Sequence, residues 1–110
     1  MLNYTNKEQG ERMLAMGYLP ADTGAIELPE EEGMLSWPDH KLFHIIANRK
    51  WRCQTKSYYD TDKKHVVYQV EVEFPQNFGR HITDWKDTMT EALVECIEFM
   101  NKWGSWIRIR

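Results

Sequence analysis

Thr88-Met89-Thr90-Glu91-Ala92-Leu93-Val94-Glu95-Cys96-Ile97-Glu98-Phe99-Met100-Asn101-Lys102-Trp103-Gly104 is the stretch that decides the fold. Thr88 and Glu91 match the S/T-x-x-E capping box, in which each side chain satisfies a backbone N–H left free at a helix start. Met89, Ala92, Leu93, Cys96, Ile97, Met100 and Trp103 recur at three- and four-residue steps and so share one face. Glu91, Glu95 and Glu98 fall on the other side and read as a solvated face. Gly104 stands where a left-handed residue closes a helix. The spacing predicts an amphipathic core helix over 88–103 with no catalytic pattern on it.

Upstream lies the surface such a helix needs. In residues 65–74, Val66, Tyr68, Val70, Val72 and Phe74 alternate with Gln69, Glu71 and Glu73, the period of a half-buried strand. Residues 51–59 alternate more weakly. Asp60-Thr61-Asp62-Lys63-Lys64 joins the two runs, which predicts an antiparallel hairpin with a five-residue loop. Pro75 ends the second strand. Residues 80–83 fit a third short strand, and residues 105–110 alternate as an edge strand or a frayed tail.

Nearer the start, Thr5 and Glu8 form a second capping-box match, opening a helix that Gly17 stops at about Met16. Met13, Leu14 and Met16 supply its apolar contacts. Gly10 opposes it, since a mid-helix glycine costs about 1 kcal/mol relative to alanine. Residues 19–38 read as irregular, punctuated by Pro20, Gly24, Pro29, Gly33 and Pro38 around Glu30-Glu31-Glu32, with a short strand at 25–28. Asp39 then caps a short helix through Asn48, offering Leu42, Phe43, Ile45 and Ile46 for burial. The fold class is α+β: a small antiparallel sheet with a packed C-terminal helix and two shorter helices, in one domain over 1–110.

The composition supports this. A hydrophobic fraction of 42% and five tryptophans suffice for a core in 110 residues. The net charge of −3 is unevenly spread. Residues 1–40 hold Lys7 and Arg12 against eight acids, a net of −6, whereas residues 41–65 hold seven bases against Asp60 and Asp62, a net of +5. The only cysteines, Cys53 and Cys96, sit in a strand and on an apolar helix face, where a thiol serves as a small hydrophobe. With no basic-then-apolar leader and no apolar run of membrane-spanning length, the expected setting is cytoplasmic, with unbridged thiols and no membrane partner.

Three constellations bear on function. Arg49, Lys50, Arg52, Lys56, Lys63 and Lys64 interleave with Trp51, Tyr58 and Tyr59, a pattern that can neutralise phosphates and stack nucleobases. The competing reading, an outward hairpin face with its aromatics turned inward, is preferred because the chain is acidic overall. His40 and His44 are four apart on a helix, but zinc needs more ligands than two, and neither a metal nor another cofactor is expected. Cys53 and His65 would need to meet across the hairpin to form a nucleophile and base, and burial is the ordinary fate of such a cysteine. No phosphate-binding glycine loop is present.

Glu8-Gln9-Gly10-Glu11-Arg12-Met13-Leu14 followed by Gly17-Tyr18-Leu19-Pro20-Ala21-Asp22-Thr23 resembles the opening of a family of small uncharacterised bacterial and phage or prophage proteins. Their pattern looks like E-Q-x-x-x-L-L-x-x-G with a T-A-D-like step, from which Thr23-Gly24-Ala25 departs. Ser36-Trp37 before a short helix and the closing Thr90-Glu91-Ala92-Leu93-Val94-Glu95 are similar too. The resemblance implies a phage or mobile-element accessory protein and carries no functional residue. The expected function is a non-enzymatic protein-interaction module with an unidentified protein partner. The alternative is a small nucleic-acid-binding protein using the basic hairpin 49–65.

Overall fold

The computed structural model describes residues 3–18, 20–27, 35–74 and 79–108, with side chains through residue 102 apart from those of residues 20 and 21. Leu28, the glutamates at 30–32, Pro75, the Trp103 side chain and the last two residues lie outside the described residues. The elements run α1 (Lys7–Ala15), α2 (Pro20–Thr23), β1 (Ile26–Glu27), β2 (Leu35–Ser36), α3 (Asp39–Asn48), β3 (Arg52–Asp60), β4 (His65–Glu73), β5 (Arg80–Ile82) and α4 (Met89–Arg108). β1 and β2 pair antiparallel as a small ribbon, and β3-β4-β5 form an antiparallel sheet in that order. The α+β class stands, with α2 as an added single turn.

The first helix starts differently from the sequence expectation. Its cap is Asn6, not Thr5: Gln9 N–H donates to Asn6 Oδ1 at 2.8 Å and Asn6 N–H donates to Gln9 Oε1 at 2.8 Å. Amide side chains thus complete the reciprocal box one residue later. Thr5 is buried and committed elsewhere, since its hydroxyl oxygen accepts from the Trp37 N–H at 3.0 Å. The helix ends as Gly17 predicts. Gly17 takes φ 89°, Tyr18 N–H donates to the Met13 carbonyl and Gly17 N–H to the Leu14 carbonyl, which is the Schellman arrangement. Gly10 also has a reason to be there: a Cβ would stand 3.1 Å from the Leu35 carbonyl oxygen, so glycine lets α1 lie close on β2.

α3 begins at Asp39, but this residue is inside the helix and is no side-chain cap. Its carboxylate instead accepts from the Thr90 hydroxyl at 2.5 Å, pinning the first turn of α3 to the first turn of α4. Burial pushes this carboxyl up, and the bonds from Thr90 and Asn3 oppose that. Leu42, Ile45 and Ile46 are buried and Phe43 half-buried, as their spacing requires.

The hairpin register is regular, from Arg52 opposite Glu73 to Asp60 opposite His65. Its loop is Thr61–Lys64, four residues, because Asp60 stays in the ladder. Asp60 Oδ1 accepts from the Asp62 and Lys63 N–H groups, and Lys64 closes the turn at φ 63°. Residues directly opposite share a face. Cys53, Val70, Val72 and Phe74 therefore lie on the inner face, where they pack with Leu93, Cys96, Ile97, Met100 and Phe99 of α4. Trp51 sits edge-to-face against both Phe74 (5.0 Å) and Phe99 (5.9 Å). The alternation in β4 holds from Val70 onward but fails toward the turn, where Val66 on the inner face is 37% exposed and Val67 on the outer face is fully buried.

Two features of α4 correct the sequence reading. The helix does not stop at Gly104 but continues to Arg108, so residues 105–108 are helical and form no strand. Each added residue gains a backbone bond once a helix is nucleated, which offsets the roughly 1 kcal/mol cost of one glycine. The capping box is half made: Glu91 N–H donates to Thr88 Oγ1 at 3.1 Å, while the Glu91 side chain turns to α1. Leu93 and Ile97 are fully buried at the centre of the packed face. Truncating either to alanine is expected to cost about 2–5 kcal/mol, the range for buried aliphatic side chains. Chemical denaturation measures this; losses within about 0.5 kcal/mol, as at surface sites, would contradict the packing.

Candidate protein-interaction surface

The charged residues of α4 form ties, in place of the solvated face expected from sequence. Arg12 on α1 donates to both Glu91 oxygens at 3.0 Å and grips Glu98 through Nε at 3.1 Å and through Nη2. Hydrogen bonding to Glu98 is the main cause that holds the guanidinium proton more tightly than usual. Glu95 accepts from His81 Nε2 at 2.7 Å and from Lys86 Nζ at 2.8 Å. Burial pushes the Glu95 carboxyl up, but the bonds and charges of Lys86 and His81 outweigh it, so the carboxyl titrates below its ordinary value. The bond to Glu95 raises Lys86 in turn. His81 also stacks on Phe99 at 4.7 Å. These contacts fix how α4 lies on the sheet.

β5 ends in a detour that places an unexpected residue. Thr83 N–H donates to the Val70 carbonyl and Thr83 Oγ1 accepts from Val70 N–H, both at 3.0 Å. The next ladder bonds join Lys86 to Tyr68, so Asp84 and Trp85 are squeezed out between them. Trp85 meets Tyr58 edge-to-face at 4.6 Å. β4 lies between these two residues' strands, so the rings meet above it, and Val67 beneath, directly across from Tyr58, is 0% exposed. The outer sheet face therefore carries a small apolar cap, with Tyr58 46% and Trp85 38% exposed. No sequence pattern announced Trp85, which lies between the strand expected at 80–83 and the helix expected from 88.

The edge of the sheet matters more. Val70 and Tyr68 spend their backbone groups on the β5 side, and Phe74 N–H does the same with Gly79. In an antiparallel ladder successive residues alternate direction. The odd-numbered β4 residues therefore bond β3, and their partners Arg52, Gln54, Lys56, Tyr58 and Asp60 point back at β4. It follows that Cys53, Thr55, Ser57 and Tyr59 aim their N–H and C=O groups away from the sheet. Among the described residues, β3 pairs with β4 alone and no other backbone bond reaches those groups. From Gln54 to Tyr59 every residue is exposed.

Six basic residues accompany this edge. Arg49 is half-buried at the end of α3 and Lys50 follows, exposed, at φ 62°. Arg52 and Lys56 lie on the outer face. Lys63 and Lys64 stand at the turn, about 27 Å from Arg52 at 3.3–3.4 Å per residue. The structure thus spreads them along a line and gathers no single patch. Arg52 pairs with Glu73 at 3.3 Å and Lys63 with Asp87 at 3.2 Å, whereas Lys56 makes no ion pair among the described residues. The aromatics named with them divide: Trp51 is buried, Tyr58 is engaged by Trp85, and Tyr59, 59% exposed, lies on the inner face, opposite Arg52 and Lys56.

The remaining candidates separate. His40 and His44 are both exposed on α3, and among the described residues no group of three or more metal-binding side chains converges. Cys53 faces Val72 while His65 faces Asp60, so they sit at opposite ends of the hairpin and do not meet. Burial pushes the Cys96 thiol up to about 12 and raises Cys53 as well. No helix among the described residues is long and apolar enough to cross a membrane. No protein-family model, curated protein or solved structure matches this chain.

The Glu95 ties set a pH dependence. Because its folded carboxyl titrates below the ordinary 4.5, its contribution is complete above that value and is lost as pH falls through the folded one. Lys86, raised above 10.5, contributes fully below that pH and loses its share as pH rises through the folded value. Glu95→Gln is expected to cost about 1–2 kcal/mol at pH 7, the range for charge-assisted bonds discounted for partial exposure. Denaturation from pH 7 downward measures it: the gap between variant and parent should narrow as the pH falls below 4.5, and a gap that stays constant into strong acid would contradict the assignment.

Proposed function

We propose that this protein is a non-enzymatic protein-interaction module that takes an extended segment of a partner chain onto the free edge of β3. The observation that carries this reading is the outward row of backbone groups from Cys53, Thr55, Ser57 and Tyr59, in a strand exposed from Gln54 to Tyr59. Such an edge is a ready template for another strand, and natural proteins usually shorten, cover or twist theirs. Here the outer edge of a nine-residue strand is unpaired among the described residues, so main-chain hydrogen bonding supplies the attachment. The burial of Cys96, the partial burial of Cys53 and the separation of Cys53 from His65 support a non-enzymatic reading. Service as an accessory protein of a phage or mobile element fits such a module and rests on the sequence resemblance alone.

Nucleic acid is the second reading, and the same hairpin would carry it. Against it stands the division of faces: the outer face holds Arg52 and Lys56, while Tyr59, which has no ring partner among the described residues, is on the inner face. A strand of nucleic acid cannot stack on one side and neutralise its phosphates on the other without wrapping the edge.

Proline separates the two. At Ser57 the N–H points outward, so Ser57→Pro removes an edge donor and spares the bonds to β4. Peptides selected from a random library against the native protein are expected to lose binding to Ser57→Pro, while that variant keeps its cooperative unfolding. Salt-sensitive retardation of DNA or RNA that survives Ser57→Pro and disappears when Arg52, Lys56 and Lys63 become alanine would sink the proposal.

A further inference from the structure

On the strand-docking reading above, we infer that the segment taken up by β3 is acidic, with two carboxylates four residues apart along an extended chain. Arg52 and Lys56 both point to the outer face, four residues apart on one strand. Whichever direction a docked strand runs, the residues opposite them are also four apart and on that same face. Lys56 is exposed and has no ion pair among the described residues, and Arg52, though paired with Glu73, keeps a side chain that is 72% exposed. The nearby carboxylates are already committed: Glu73 to Arg52, and Glu71 to Arg80 on the far strand at 3.9 Å. Arg49 and Lys50 at one end and Lys63 and Lys64 at the other extend the same sign along the strand, with Asp60, Asp62 and the Asp87 that faces Lys63 as counter-charges at the turn.

A second copy of this chain is opposed at the centre of the edge. With β3 laid antiparallel on β3 in full overlap, Arg52 would face Asp60 at each end, but Asp60 already accepts from the Asp62 and Lys63 N–H groups. At the centre Lys56 would face the Lys56 of the other copy, where like charges directly opposite destabilise a pair. A lysine on an edge also guards against such self-pairing. An acidic strand turns that guard into an attraction. Its other side chains meet Gln54 and the Tyr58–Trp85 cap on the outer face, and Thr55, Ser57 and Tyr59 on the inner face.

The test uses end-blocked nine-residue peptides of one composition, rich in threonine and valine, with two glutamates. In one peptide the glutamates are four apart and share a face when extended; in the other they are three apart and lie on opposite faces. Affinity for the full chain is read by fluorescence anisotropy at near-physiological salt. The four-apart peptide should bind about fivefold more tightly, since a cross-strand charge pair contributes up to about 1 kcal/mol. Lys56→Glu should weaken it by about tenfold, and replacing the facing glutamate by lysine should restore binding to that variant. Ser57→Pro should abolish binding of every peptide. If neutral or basic peptides bind as well as acidic ones and still fail on Ser57→Pro, the acidic assignment is wrong and strand docking stands. Binding indifferent to Ser57→Pro would sink both. So would tighter, Lys56-dependent binding of an oligonucleotide, or a stable dimer that buries the edge. No binding of either peptide at millimolar concentration would also overturn the inference.

Discussion

The lie of α4 across β4 governs the rest of this molecule. A helix is about 10 Å across and strands are spaced about 4.8 Å apart, so one helix shields roughly two strand spacings. Here it packs on Val70 and Val72 of β4 and reaches β5 through Glu95 and His81. The base of β3 is held by Trp51 against Phe74 and Phe99, and beyond Cys53 nothing buries the strand. The exposure of the β3 side chains is thus a consequence of where the helix sits, while the open backbone edge follows from β3 being the outer strand of the β3-β4-β5 order. A helix placed one strand over would have covered β3 and exposed β5.

Polar ties set that placement as much as apolar packing does. Arg12 reaches Glu91 and Glu98 from α1, His81 and Lys86 hold Glu95 from the sheet, and Thr90 binds Asp39 at the start of α3. Apolar contact is nondirectional and would permit α4 to roll or slide on Val70 and Val72. Three separate carboxylate contacts on successive turns restrict both motions. Half-buried charges of this kind cost desolvation and contribute little net stability, but they penalise every arrangement that leaves one unpaired.

The secondary elements were legible in the sequence where a period was strong. The apolar repeat through Leu93, Cys96 and Ile97 and the alternation through Val70, Val72 and Phe74 both name their buried faces correctly. Local capping signals were less dependable, because they depend on partners distant in sequence. Thr5 matches a cap but is taken by Trp37, 32 residues away, and Glu91 matches a box but is drawn to Arg12. Gly104 reads as a stop, yet a helix already nucleated continues through it. The six basic residues were visible as a group, but their arrangement along one edge was not, since periodicity does not say which strand lies outermost. Trp85 was invisible because a bulge, which breaks the pattern, is what delivers it to Tyr58. The glutamates at 91, 95 and 98 looked solvated because nothing in the sequence reveals which cations the fold brings across.

The phase of the free edge is the central claim, and amide hydrogen exchange of the unliganded protein reads it residue by residue. Within β3, the amides of Cys53, Thr55, Ser57 and Tyr59 should exchange near their unprotected rates. Those of Gln54, Lys56 and Tyr58, bonded to β4, should be slower by orders of magnitude. Uniform protection along the strand, or the opposite alternation, would contradict the account, because the edge would then be covered or turned the other way.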